Sequence, residues 1–423
     1  MTRALFAKCG TGKGKMAKAE EIYVGLDIGS SKITTVVGKA DEQGELNIIG
    51  IGTSFNTGVR KGIVNEIEET VSGISESMEA AERMAGVQLD YAAININGSH
   101  ITSLNSKGVV AVGKANQEVT YEDTVRVDEA AQAVQIPINK EILHVVPRIY
   151  SVDGQEGVKD PVGMTGVRLE GEVQLIAVSQ PAVKNLRKCI TQAGVKEEDM
   201  IANPLAAAKA VAEKRDMELG CIVIDIGAST TGIIVYEDER PLYTAVLPVG
   251  SMHITNDIAI GLRTSIDVAE KVKLKYGTSL ASTVPEREKI DLSEIDMNEE
   301  GVIPRKHVAE IVEARLTEIF MLIKNELKKI RRDGQLPGGA IITGGGAKLE
   351  DIDIVGKNAL KLPCVIGKPH NLKGMVDKIY DPRFSVAVGL MLYQHEESEH
   401  MGGSKQIGMA VDKVKRIFKT FLP

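Results

Sequence analysis

The sequence predicts an α/β chain of two lobes that face one another across a phosphate-binding cleft, and three observations carry that expectation. A strand–Asp–Ile–Gly–small-polar signal occurs twice, as Leu26-Asp27-Ile28-Gly29-Ser30-Ser31 and as Ile224-Asp225-Ile226-Gly227-Ala228-Ser229-Thr230. A buried-looking strand, Ala340-Ile341-Ile342-Thr343, runs into Gly344-Gly345-Gly346-Ala347 and then into the helix-like Lys348-Leu349-Glu350-Asp351-Ile352. The 423 residues alternate strand-like and helix-like segments, enough for two lobes with a core each.

Each repeated signal lies between apolar, β-branched runs; Ile33-Thr34-Thr35-Val36-Val37 follows the first and Gly232-Ile233-Ile234-Val235-Tyr236 the second. That pattern predicts two hairpins, one per half of the chain. One Asp-x-Gly alone is ordinarily just a turn, but two in the same context, far apart, point to a shared task. Glycine lets backbone N–H groups approach an anion closely, and Ser or Thr adds donors. An Asp at a strand end, opposite its counterpart, suits the water shell of Mg²⁺. The predicted phosphate ligands are Asp27, Gly29, Ser30, Ser31 and Lys32 on one tip. Asp225, Gly227, Ala228, Ser229, Thr230 and Thr231 form the other, with Asp27 and Asp225 nearest Mg²⁺. Gly344, Gly345, Gly346 and Ala347 permit close approach of a flat or anionic ligand. Neither GxGxxG nor GxxxxGK[ST] is present at Gly344–Gly346 or at Gly10–Lys15.

First phosphate loop, second phosphate loop and glycine run, in that order, resemble the actin-fold ATPase superfamily. A middle segment narrows the resemblance to the FtsA family of bacterial cell division. It comprises Asn97-Gly98-Ser99-His100-Ile101, Asn105-Ser106-Lys107-Gly108, Ile142-Leu143-His144-Val145-Val146-Pro147, Asp153-Gly154-Gln155 and Asp160-Pro161-Val162-Gly163-Met164. The resemblance runs from residue 21 to the C-terminus. It implies an actin-like two-lobed fold with an FtsA-type inserted small α+β domain and a C-terminal amphipathic helix. It also implies ATP and Mg²⁺ as ligands. Implied partners are FtsZ, further copies of the chain, anionic membrane lipids and other division proteins.

Pattern and resemblance together give the layout. Residues 1–20 are an N-terminal extension, with Met16 a second candidate start. Residues 21–101 and 177–213 form lobe one; its helix is expected at Ile67, Val71, Ile74, Met78 and Ala81, spaced by three and four. Residues 102–176 form the insert, with a helix starting after Thr120, where a hydroxyl cap precedes Asp123 by three. The Ala-rich helix Pro204–Ala212 ends lobe one. Residues 214–247 and 304–393 form lobe two, including a helix from Arg305 to Arg332, and 248–303 form its subdomain.

In the subdomain, Asp267–Lys273 reads as an amphipathic helix with Val268, Val272 and Tyr276 on one face. Glu270 and Lys273 lie three apart, and by themselves read as a solvated ion pair. The resemblance implies that they bracket the adenosine. Hydrolysis requires a group that activates or positions water. The filament-forming relative MreB uses a Glu before the Pro of the Ala-rich helix; here that position is Asn203, an amide that takes no proton. The site is therefore expected to bind ATP and hydrolyse it slowly, if at all.

A net charge of −7, evenly mixed, argues against nucleic acid as a partner. Cys9, Cys189, Cys221 and Cys364 form no CxxC pair, which points to a reducing compartment without a metal cage. His395 and His400 among Glu396, Glu397 and Glu399 read as a solvated acidic linker. No signal peptide and no stretch of roughly 20 apolar residues is evident. Residues 394–406 are expected to be a flexible tether. Beyond it, Ile407, Val411, Val414, Ile417, Phe418, Phe421 and Leu422 gather within about 140° of a helical wheel. Lys413, Lys415, Arg416 and Lys419 take the remainder, a pattern suited to an anionic bilayer surface.

The resemblance places the FtsZ contact on the second-lobe subdomain and the neighbouring helix, where Arg315 and Glu318 share a face. The expected function is an ATP-binding polymer at the division site, on the inner face of the cytoplasmic membrane, holding FtsZ filaments and recruiting later division proteins. The alternatives are a pilus-assembly relative, which usually lacks a basic terminal helix, or another actin-fold ATPase. A sugar kinase or phosphatase would need a catalytic Asp signature that is missing. A chaperone would need a long C-terminal domain.

Overall fold

The computed structural model describes residues 21–402, apart from 42, 114 and 115. The expected N-terminal extension, the residues from 403 and the amphipathic helix 407–423 lie outside the described residues.

Two sheets carry the chain, and the predicted repeat is also a structural one. In the first, strand Ile22–Ile28 pairs antiparallel with Lys32–Ala40 and parallel with Tyr91–Ile96. In the second, Cys221–Ile226 pairs antiparallel with Thr231–Glu237 and parallel with Gly339–Thr343. Each hairpin continues into a third antiparallel strand, Leu46–Phe55 or Arg240–Leu247. These central strands are apolar on both faces because helices or the opposite lobe cover both. Residues Cys221 to Ile226 are all buried.

The helices form where period and caps predict. Helix Ile67–Ala85 buries Ile74, Met78 and Ala81 and ends at Gly86 in the left-handed region, whose N–H closes on Glu82 O. The insert helix Tyr121–Ala131 opens on the predicted capping box: Asp123 N–H donates to Thr120 Oγ1 and Thr120 N–H to Asp123 Oδ2. Helix Arg305–Lys329 buries Val308, Val312, Leu316, Ile319, Ile323 and Leu327 along one stripe.

The insert is less separate than its sequence suggests. Its strands Thr102–Ala111, Lys140–Val152, Gln155–Val158 and Arg168–Ser179 extend the second lobe's sheet through the pair Ala245–Thr102. Ser103 Oγ reinforces that seam by donating to Thr244 O and accepting from Thr244 N–H.

Two expectations need correction. Residues 394–402 are not part of a tether, because helix Ser385–Gly402 continues through them. Gln394, His395, Glu396 and Ser398 looked solvated but have partners on lobe one. Gln394 Oε1 accepts Val24 N–H at 2.5 Å and its amide donates to Glu198, while Glu396 pairs with Lys209. Tyr23 Oη lies 2.7 Å from Ser398 Oγ, and the His395 ring meets the Tyr23 ring edge-on. This helix fits without slack, since a Cβ on Gly389 would overlap Ala206 O and one on Gly25 would overlap Ala387 O.

The second correction concerns the glycine run. Gly345–Lys348 is a 3₁₀ turn, and the α-helix begins only at Ile352, after Asp351 takes the left-handed conformation (φ 63°). Among the described residues, no helix is long and apolar enough to cross a membrane.

Candidate functional site

The two hairpin tips meet. Gly29 N–H closes the first on Lys32 O at 3.0 Å, and Gly227 N–H closes the second on Thr230 O at 2.9 Å. Ser229 Oγ donates to Ser30 Oγ at 2.6 Å, and Asn97 Nδ2 donates to Thr230 Oγ1 at 3.1 Å. Asn56 braces the first tip through Gly29 O. The first turn of helix Ser251–Leu262 braces the second, with Ser251 N–H on Gly227 O and Met252 N–H on Ala228 O.

Behind the tips, two buried amides link the two carboxylates. Asp27 Oδ1 accepts from Asn95 Nδ2 at 2.7 Å, which also donates to Asn203 Oδ1 at 2.8 Å. Asn203 Nδ2 then donates to Asp225 Oδ2 at 2.6 Å. Ile28 N–H on Asn95 Oδ1 fixes the direction of the first amide. Burial, reinforced by the charge of Asp225, pushes the Asp27 carboxyl up to about 8 against the bond from Asn95. Burial likewise raises Asp225 to about 6 against the bond from Asn203. Among the described residues, no positive charge offsets either carboxyl.

The third predicted element joins Asp225 directly. Gly344 has φ 83°, and a Cβ there would overlap Asp225 Oδ1, so only glycine fits. Glu270 and Lys273, on helix Ile266–Tyr276, form a pair that is not fully solvated. Lys273 is buried, 2.6 Å from Glu270 Oε2, and donates to Thr255 Oγ1 and Ser251 O. The pair thus buttresses the same helix turn that holds the second tip.

Other predicted residues stand apart. Thr231 is fully buried and its hydroxyl donates to Val249 O, so it supports the hairpin. Lys32 is exposed. Arg315 and Glu318 share a face at 2.6 Å, but Arg315 is also bound to Asp257 of helix Ser251–Leu262 at 2.5 and 2.9 Å. Sequence reasoning missed Asn56, Asn95, Asn97 and Thr255. The signal for two of them was present: Asn95 and Asn97 alternate within the otherwise apolar Ala92-Ala93-Ile94-Asn95-Ile96-Asn97.

A cell division protein FtsA of Borreliella burgdorferi is 38% identical over 399 residues, covering 94% of this chain and 96% of the relative. The chain belongs to the FtsA family. The cell division protein FtsA family model matches residues 222–389, and the model of the SHS2 domain inserted in FtsA matches 98–177, close to the expected 102–176. FtsA of Pseudomonas aeruginosa is 38% identical over 88% of this chain and 89% of its own. FtsA of Escherichia coli K12 is 33% identical over 92% and 94%. Membership of the FtsA family assigns a role in cell division. Among solved structures, the PilM-PilN type IV pilus biogenesis complex gives a TM-score of 0.64 at 18% identity, covering 88% of this chain and 98% of that one. MreB5 of Spiroplasma citri bound to AMPPNP gives 0.54 at 13%, covering 90% and 98%. At those identities the likeness establishes the actin-like fold alone, and the SHS2 insert rests on the family model.

Proposed function

We propose that the cleft binds Mg-ATP, and that the chain polymerises in that state on the inner face of the cytoplasmic membrane and holds FtsZ filaments at the division site. The observation that carries the reading is the Asp27–Asn95–Asn203–Asp225 line spanning the two hairpin tips. A buried carboxylate, Asp225, and a half-buried one, Asp27, with no compensating cation among the described residues and in a setting of oxygen and amide donors, fit a hard divalent ion that keeps its waters. Asp27 and Asp225 would orient that water shell, and Mg²⁺ would supply charge neutralisation for the phosphates. Ser30, Ser229, Thr230 and the Gly29 and Gly227 loops would cradle the phosphates once the Ser30–Ser229 bond gives way to them. AMPPNP in the MreB5 neighbour supports the same reading.

Asn203 holds its amide toward Asp225 and its carbonyl toward Asn95, so it orients groups without accepting a proton. Hydrolysis should therefore be slow, and binding is the function. For the membrane, Val414, Ile417, Phe418, Phe421 and Leu422 would enter the interface while Lys413, Lys415, Arg416 and Lys419 meet anionic headgroups. Arg315 and Glu318 would contribute to the FtsZ-facing surface, and later division proteins would join the assembly. The test is co-sedimentation of the full chain with anionic vesicles, with and without Mg-ATP and FtsZ. Nucleotide-dependent recruitment of FtsZ to vesicles is expected. FtsZ pelleting that ignores both nucleotide and this chain overturns the reading.

A further inference from the structure

His144 lies in the insert strand Lys140–Val152, yet its side chain is buried against lobe one. Its Nε2 accepts Ala202 N–H at 3.0 Å. Burial pushes the imidazole down to about 3, so at neutral pH the ring is uncharged and Nε2 is a steady acceptor.

Ala202 is the corner where strand Lys196–Ala202 turns into helix Asn203–Val211. Among the described residues that strand ends the six-stranded sheet, with no ladder along its outer edge. The helix also opens without a side-chain cap. An imidazole from the insert therefore satisfies a buried N–H at the corner, where neither sheet nor cap supplies a partner. Asn203 follows directly, and its side chain accepts from Asn95 and donates to Asp225. Two χ angles serve both bonds only if the Cα of Asn203 is held in place, and His144 holds the residue before it. At the insert's other border, Thr244 Oγ1 of lobe two donates to Gln174 Oε1 at 3.1 Å, beside the Ser103–Thr244 seam. The insert thus grips both lobes outside the cleft.

We propose that His144 is a positioning residue for the cleft: by holding Ala202 it sets Asn203 between the two hairpin tips, and so ties the seating of the insert to the binding of nucleotide. This rests on the nucleotide reading above and adds to it a control from outside the cleft. The coupling is reciprocal, so a partner that shifts this insert strand changes nucleotide affinity by the factor with which nucleotide changes its own. A role confined to filling the core would cost stability and leave affinity in the cleft intact.

The experiment measures Mg-ATP binding and melting temperature of the full chain. His144→Leu removes the acceptor, and His144→Gln offers an oxygen at a similar reach. His144→Leu should weaken Mg-ATP by about fivefold, the scale of one hydrogen bond, and His144→Gln should recover most of that loss. In an Asn203→Ala background, His144→Leu should change affinity by less than about twofold, because it acts through Asn203. If His144→Leu does not fold, His144→Phe, a ring without the acceptor, carries the same comparisons. Equal losses with and without Asn203, a His144→Gln as weak as His144→Leu, or a His144→Leu within about twofold of wild type each overturn the inference. Wild-type protein that does not bind Mg-ATP overturns the nucleotide reading itself, a different outcome.

Discussion

Asn203 Nδ2 donates to Asp225 Oδ2 at 2.6 Å, so the residue opening the Ala-rich helix of lobe one is bonded to the first strand of lobe two. Asn203 and Asp225 are both buried. A short, buried bond between lobes is a natural point at which cleft contents act on lobe geometry.

Asn95 carries most of that line, with three hydrogen bonds on one amide. Asn95→Ala should cost about 1–3 kcal/mol, because Ile28 N–H and Asn203 Oδ1 each lose a buried partner. Urea denaturation of both proteins without nucleotide measures it; an unchanged midpoint would show that water replaces the amide.

The raised carboxyls set a pH dependence. An acid whose folded pKa lies above its ordinary 3.8 binds more protons folded than unfolded, so its contribution to stability falls as pH rises. Ligand-free protein should lose stability through this pair between about pH 4 and pH 8, with Asp225 titrating first and Asp27 last. Asp27→Asn should flatten the upper part of the melting-temperature profile, and Mg²⁺ should stabilise the wild type more at pH 8 than at pH 5. A profile identical in wild type and Asp27→Asn contradicts this.

The capping box gives a local prediction. Thr120→Ala removes the acceptor for Asp123 N–H and should destabilise the insert helix by about 1 kcal/mol. Hydrogen exchange of residues 121–131 should rise while exchange in the cleft strands stays constant.

Arg315→Glu should lower the affinity for an FtsZ C-terminal peptide and also break the bond to Asp257. The swap Asp257→Arg with Arg315→Asp rebuilds the interhelical pair in reverse. If the swap restores peptide binding, Arg315 acts by positioning helices, and its assignment to the partner surface fails.

Deleting residues 406–423 should abolish binding to anionic vesicles and leave Mg-ATP binding intact. For the full chain, vesicle binding should rise steeply with protein concentration and fall with salt, because one short helix binds marginally and a polymer presents many. Linear, salt-independent binding would argue against this.

Where local chemistry decided the structure, the sequence was readable. Both hairpins, the Thr120 cap and the periodic stripes of the Ile67 and Arg305 helices follow from patterns within a few residues. What escaped was decided by contacts distant along the chain. Asn95 meets Asn203 across 108 positions, and Gln394 meets Val24 across 370. Composition alone made Gln394–Gly402 look like solvated linker, because the lobe-one groups that receive Gln394, His395, Glu396 and Ser398 are invisible locally. Asn95 and Asn97 left a local signal that went unread, amides alternating at the end of an apolar run, of which Asn95 lies buried in the strand and so demands partners.

The last helix, Ser385–Gly402, is wedged between the first strand and the Ala-rich helix, with Gly25 against Ala387 and Gly389 against Ala206. Backbone pressed on backbone at two points leaves no play, so strand, Ala-rich helix and last helix move as one gear. Asn203 sits at one rim of that gear and Gly402, the last described residue, at another. A change in the cleft that displaces Asn203 is therefore expected to carry this helix with it, and under the function proposed above the angle at which a subunit meets a membrane would follow what the cleft holds.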